Sequence, residues 1–176
     1  MKSSLLIQVD VNDTPVGAVE KMAAHREGVL HRAFSIFIFD KDGKWLLQQR
    51  AGHKYHSPGL WTNTCCGHPL EGEQTLQAAR TRLKYEMGMD CELKNIFNFT
   101  YRTRLENGLV EHEFDHVFIG FSDEVRGINP DEVSSWKTLS IQDLRKEIKA
   151  GEDRFTEWFK MIFERVNTYY NLNYNR

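Results

Sequence analysis

The chain has 176 residues, 40% of them hydrophobic and 27% charged, with a formal net charge of -2. This is the make-up of an ordinary globular protein, and the length suits a single domain over residues 1–176. No global basic footprint exists for nucleic acid or an anionic membrane, and no apolar run is long enough to span a bilayer, so neither partner is expected. Leu5 to Asp10 reads as a short strand, and Asn12-Asp13-Thr14-Pro15 as a turn. Gly17 to Ala24 is expected to continue as a short helix, with Lys21 and His25 on one face. His25 and His31 fall in a polar connection, where a single His is commonly a solvated surface residue.

Phe34 to Phe39 is apolar on both faces and rich in β-formers, hence a buried strand. Asp42-Gly43 marks a hairpin turn, and Trp45 to Arg50 is the return strand. Arg50 and Lys54 beyond it form a basic pair, either an ordinary strand-end pair or a phosphate clamp. Gln74 to Met87 is a helix with an apolar stripe of Leu76, Ala79, Leu83 and Met87, stopped by Gly88. Arg82 and Glu86 share a face of it, which alone reads as an exposed ion pair of little energetic weight. Asn95 to Tyr101 is a further strand, and Glu106-Asn107-Gly108 a turn.

Val110 to Phe121 is the most informative strand. Period two puts Glu111, Glu113 and Asp115 on one face and His112, Phe114, His116 and Phe118 on the other. Neighbouring carboxylates on one face repel unless a divalent metal or a shared proton lies between them. A polar, solvated face is the alternative. The same geometry points His112 away from whatever Glu111 and Glu113 hold. Gly127 to Asp131 is a loop, and Ser140 to Asp143 a capping box opening a helix to about Lys149. A last helix, Phe155 to Tyr170, carries Phe155, Phe159, Ile162 and Val166 on a core stripe, with Trp158 off its centre. The tail from Asn171 to Arg176 is expected to fray.

Between the Trp45 to Arg50 strand and the first long helix lies Trp61-Thr62-Asn63-Thr64-Cys65-Cys66-Gly67-His68-Pro69, followed by Leu70-Glu71-Gly72-Glu73. Pro69 and the glycines predict a shaped loop rather than a strand. A loop feeding a helix N-terminus suits anions and metals. Adjacent cysteines do not have the spacing of a structural zinc site. With three cysteines in all there is no disulfide framework, and Met1 to Asp10 has no leader pattern, so a reducing cytoplasm is expected.

Gly67, Glu73 and Glu86-Met87-Gly88-Met89 match the frame of a Nudix box, the loop–helix–loop that binds metal and diphosphate. The box is degenerate: Thr81-Arg82 stand where Arg-Glu is expected, and Tyr85 where a Glu is expected. Almost the whole chain resembles the type I isopentenyl-diphosphate delta-isomerases. The resemblance rests on Ala24-His25, Leu30 to Ser35, Gln49-Arg50, Trp61-Thr62-Asn63, Cys66-Gly67-His68-Pro69, Arg82 to Gly88, Tyr101-Arg102, Glu111-His112-Glu113 and Phe155 to Trp158. His25 and His31 stand one residue closer than in bacterial members.

The resemblance implies an α+β fold, a Nudix-like mixed β-sheet flanked by helices. It implies a Mn2+, Mg2+ or Zn2+ site at His25, His31, His68, Glu111 and Glu113, and a substrate-bridging Mg2+ at Glu86. Lys21, Arg50, Lys54 and Arg82 match the family's diphosphate contacts. The implied reaction moves a double bond by a 1,3-proton shift. Glu113, with Tyr101 beside it, protonates the alkene; Trp158 faces the carbocation; Cys66 removes a proton as a thiolate, its pKa lowered by cations and a helix N-terminus. Cys65 is expected to be a small buried hydrophobe. The partner implied is a small-molecule diphosphate, and the chain is expected to act as a monomer or weak homodimer. The alternatives are a Nudix-type diphosphate hydrolase and a metal- or nucleotide-binding module without catalysis.

Overall fold

In the computed structural model, which describes residues 5–174, a long strand organises everything else. β1 (Leu5–Val9) and β2 (Pro15–Glu20) form a hairpin. The expected helix from Gly17 is therefore strand as far as Glu20. Glu20 then caps α1 (Lys21–Glu27), its carboxylate accepting from the Met22 and Ala23 amides at 2.9 and 2.8 Å. Gly28, at φ 66°, closes the helix in the left-handed conformation.

β3 (His31–Phe39) starts three residues before the Phe34 expected from sequence, because His31 already pairs with Gln8 of β1. It runs parallel to β8 (Val110–Phe121), from His31 opposite Glu113 to Phe39 opposite Phe121. β7 (Leu93–Arg104) lies antiparallel to β8 on its other side and is longer at both ends than the segment expected. β4 (Trp45–Arg50) touches β3 only at Ile38 and Phe39, then diverges to pair with β5 (Trp61–Thr62) and β9 (Val133–Leu139). β9 has no sequence counterpart: Ser134, Ser135 and Lys137 hide its strand character.

The segment expected to be an irregular loop also contributes β6 (Cys65–Gly67), antiparallel to β3 at Phe34, Ser35 and Ile36. Side chains hold it there. Thr64 Oγ1 accepts from the Ile38 amide at 2.9 Å and donates to the Leu46 carbonyl at 2.6 Å, so it bridges the split between β3 and β4. Asn63 donates to the carbonyls of Ile36 and Cys65. Gly67 allows this close approach: a Cβ there would stand 3.0 Å from the Phe34 ring.

α2 (Thr75–Met87) ends at Gly88, at φ 63°, as expected. Its buried face is Ala79, Leu83, Glu86 and Met87; Leu76, expected in the stripe, is exposed. α3 (Ile141–Ala150) is capped by Ser140, whose hydroxyl accepts from the Asp143 amide. α4 (Glu157–Asn173) starts and ends later than expected. Asn171 to Asn173 are helical, not frayed, and residues 175–176 lie outside the described part.

The double-sided apolar pattern of β3 divides the core. Phe37 and Phe39 join Trp45, Val117, Ile119 and the Phe159–Val166 stripe of α4. Phe34, Ile36 and Ile38 join Ala79, Leu83 and Met87 of α2 on the other face. No helix among the described residues is long and apolar enough to cross a membrane.

Candidate active site

A cavity of about 750 Å³ opens between α1, α2, β6, β8 and the loop after β4. His68, directly after β6, and Glu111 and Glu113 of β8 line its floor; behind them α1 delivers His25 and the first residue of β3 delivers His31. One donor atom from each of the five lies within 4.8 Å of every other. The shortened connection between His25 and His31 therefore still closes, with ring centroids 5.1 Å apart. Both rings are fully buried, against the solvated reading each invites alone.

Backbone contacts set the ring orientations. His25 Nδ1 lies 2.7 Å from the Lys21 carbonyl and His31 Nδ1 2.8 Å from the Val29 carbonyl. A carbonyl only accepts, so each Nδ1 carries the hydrogen and each Nε2 turns a lone pair inward. His25 Nε2 faces Glu111 Oε2 at 3.3 Å, and His68 Nε2 lies 2.7 Å from Glu113 Oε1. His25 Nε2, His31 Nε2 and Glu111 Oε2 are buried without a hydrogen-bond partner. Orphaned buried acceptors cost roughly 1–3 kcal/mol each, and a shared divalent cation would satisfy all three. Imidazole and carboxylate donors in this mixture fit a divalent metal ion.

Burial and the charge of Glu113 raise the Glu111 carboxyl, although His25 opposes them. Burial would raise Glu113 too, but the His31 and His68 rings beside it outweigh it and hold the carboxyl well below its usual range. Burial pushes His68 down to about 3, so its hydrogen bond rather than its charge supports Glu113. Tyr101 on β7, directly opposite Glu113, donates its hydroxyl to Glu113 Oε2 at 2.7 Å. The same face of β8 continues to Asp115, fully buried, which accepts from Ser35 at 2.7 Å. His112 points the other way, as expected, its Nδ1 2.8 Å from the Gly28 carbonyl.

Cys66 lines the cavity from β6, while Cys65 is fully buried on the opposite side. The expected lowering of the Cys66 pKa is not found. Burial pushes the thiol up to about 12; Arg50 pulls down, but Glu86, Glu113 and Asp115 add to the rise. No helix begins at Cys66 either: α2 starts only at Thr75.

Lys21, Arg50, Lys54 and Arg82 all line the cavity. Arg82 donates to Glu86 at 2.6 Å and pairs with Glu132 at 2.7 Å; Lys54 pairs with Glu132 too. Glu86 is buried and also accepts from Gln48 at 2.8 Å, so it is no exposed helix-face partner. Arg50 braces the following loop through the Ser57 and His56 carbonyls, both at 3.1 Å, and lies 5.4 Å from the Trp158 ring. Trp158 is buried with its Nε1 unpartnered. Sequence reasoning missed Gln48, Tyr55, His56 and Glu132. A Tyr-His pair just after Lys54 was the available signal for two of them; nothing local marks Gln48 or Glu132.

A curled mixed sheet with a helix following the loop of β5 and β6 is the fold of a NUDIX domain, and the NUDIX domain family matches residues 29–159. A solved Deinococcus radiodurans structure superposes with a TM-score of 0.74 at 19% identity, covering 91% of this chain and 98% of that one. The MutT protein from Methanosarcina mazei Go1 does so at 0.63 and 17%, covering 79% and 94%. At such identities the likeness concerns the fold. The isopentenyl-diphosphate Delta-isomerase of Pectobacterium atrosepticum is 50% identical over 165 residues, 94% of this chain and 92% of that protein. The isopentenyl-diphosphate Delta-isomerase 2 of Photorhabdus laumondii is 52% identical over 158 residues, 90% and 89%. The chain belongs to the isopentenyl-diphosphate Delta-isomerase family.

Proposed function

We propose that the chain interconverts isopentenyl diphosphate and dimethylallyl diphosphate, in isoprenoid biosynthesis, by a metal-dependent 1,3-proton shift through a carbocation. The observation that carries the reading is one cavity lined by a thiol, a carboxyl–phenol pair, a buried indole and four basic residues. Relatives bearing the isomerase name span nearly the whole chain.

Lys21, Arg50, Lys54 and Arg82 bind the diphosphate; the Arg forks fit its oxygens bidentately. His25, His31, His68, Glu111 and Glu113 would hold a divalent ion (Mn2+, Mg2+ or Zn2+) that would supply positive charge beside the acid, and Glu86 would hold a Mg2+ that would offset the diphosphate charge. Glu113 gives its proton to the terminal alkene carbon, whose π electrons form the new C–H bond. Tyr101 stabilises the carboxylate left behind by donating to it. The tertiary cation is faced by the Trp158 ring and shielded from water by the cavity walls. Cys66 sulfur takes the allylic proton, and the C–H electron pair becomes the new double bond. The reaction is reversible: in the return direction Cys66, whose thiol burial favours in the protonated form, gives the proton and Glu113 takes it. The chain works in this reading as one domain over residues 1–176, a monomer or weak homodimer in a reducing cytoplasm, in keeping with its three free thiols.

The test is incubation with isopentenyl diphosphate and Mg2+, following dimethylallyl diphosphate and released phosphate together. Isomer without phosphate is expected. Phosphate without isomer would establish a hydrolase instead, and neither product a binding module.

A further inference from the structure

The two oxygens of Glu111 face different groups. Oε2 is orphaned and points at His25 Nε2, on the side where the five donors converge. Oε1 lies 3.4 Å from Nε2 of His56, a residue outside that set of five. His56 is 6% exposed, and its surroundings lock its ring. The rings of Tyr55 and Trp158 stand edge-on to it at 4.4 and 5.7 Å. Its own carbonyl and that of Ser57 are both bound by Arg50. A side chain fixed this firmly beside a carboxylate oxygen has a defined task, because an unpaired buried carboxylate oxygen is costly.

The hydrogen-bond inventory allows one arrangement that suits all partners. His56 Nδ1 lies 3.5 Å from Ser57 Oγ, whose hydroxyl can donate to it. With Nδ1 as the acceptor, Nε2 carries the hydrogen, 3.4 Å from Glu111 Oε1. A carboxylate that gives one oxygen to an ion gains a fixed orientation when its other oxygen is held by a donor.

We propose that His56 is a positioning residue for Glu111: its Nε2–H holds Oε1 so that Oε2 is presented to the metal ion. The inference rests on the reading of the five-residue cluster as a metal centre. It explains why the loop after β4 is clamped by Arg50 at His56 and Ser57, since a loop free to move would release Glu111. It also ties the basic wall of the cavity to its floor through one side chain.

The experiment is titration of the chelator-treated chain with Mn2+, reading free Mn2+ by electron paramagnetic resonance. Wild type, His56→Gln and His56→Leu are compared, each checked as folded by circular dichroism; should the Leu variant not fold, His56→Met takes its place. His56→Leu, which fills the space without a donor, is expected to weaken Mn2+ binding about 10–100-fold. His56→Gln, whose amide N–H reaches toward the same oxygen, is expected to recover most of that loss. Mn2+ binding by the Leu variant as tight as wild type, or an equal loss in Leu and Gln, would overturn the role of His56. A wild-type chain that takes up no Mn2+ would overturn the metal centre itself, and the inference with it.

Discussion

One face of β8 does two different jobs. Glu111, Glu113, Asp115, Val117 and Ile119 alternate along it, and every one of them is buried. At the Val117–Ile119 end the face meets Phe37, Trp45 and Phe159 in the larger apolar cluster. At the Glu111–Glu113 end it meets imidazoles, a phenol and unpartnered acceptors. Burial is equal, but its energetic sign is not. The apolar end gains about 25 cal/mol for each Å² taken from water. The polar end costs free energy wherever a buried group lacks its partner. The stability of one end holds the other in an arrangement it would not adopt alone.

Substitutions at the polar end should remove chemistry and spare the fold. Glu113→Gln and Cys66→Ala are expected to lower turnover by about 10²–10⁴-fold while both proteins stay folded by circular dichroism. Cys65→Ala, one residue away but on the buried side, should turn over normally and lose roughly 1 kcal/mol in urea denaturation. A dead Cys65→Ala with a normal Cys66→Ala would place the wrong thiol in the cavity.

At the apolar end the expectation inverts. Phe159→Ala should lose about 3–5 kcal/mol of stability, read from urea denaturation, with KM retained at temperatures where it is folded. A large KM change without a stability loss would mean that the two ends are not separable.

The cavity wall should give intermediate effects. Arg82→Ala is expected to weaken a diphosphate analogue roughly tenfold more than a monophosphate analogue by isothermal titration, since a charge-assisted pair is worth about 1.5–3 kcal/mol. Equal losses would return Arg82 to a role in holding Glu86 and Glu132. Protonation of the thiol can be read directly. Only the thiolate is alkylated, so with a pKa near 12 the iodoacetamide rate at Cys66, followed by peptide mapping, should still be climbing at pH values where an ordinary thiol has levelled off. A plateau below the ordinary thiol range would restore the low pKa expected from sequence. The smallest effect belongs to the other face of β8: His112→Gln should leave Mn2+ binding and turnover unchanged.

Much of this was legible along the chain. The period of β8 sorted Glu111 and Glu113 from His112, and the structure keeps that sorting. Gly88 marked the end of α2 and Ser140 the start of α3, because caps are local chemistry. The Cys-Gly-His-Pro run, with the resemblance it carries, located the cavity wall. Errors arose where a distant segment decided the outcome. Gly17 to Glu20 forms a strand because β1 offers it a partner. Val133 to Leu139 does so because β4 leaves β3 and needs a new neighbour.

Sequence by itself determined the periodicities, the turns and the caps, since each depends on neighbours within a few positions; the residues for a metal and a diphosphate came from the resemblance. Only the tertiary structure decided how deeply those residues are buried and what they touch. It turned an expected reactive thiolate into a thiol, made Glu86 a buried hub instead of a surface ion-pair partner, and set His56 against Glu111. Desolvation is the reason: the energy of a charge or a lone pair depends on what covers it, and here the cover comes from strands and helices far away in the chain.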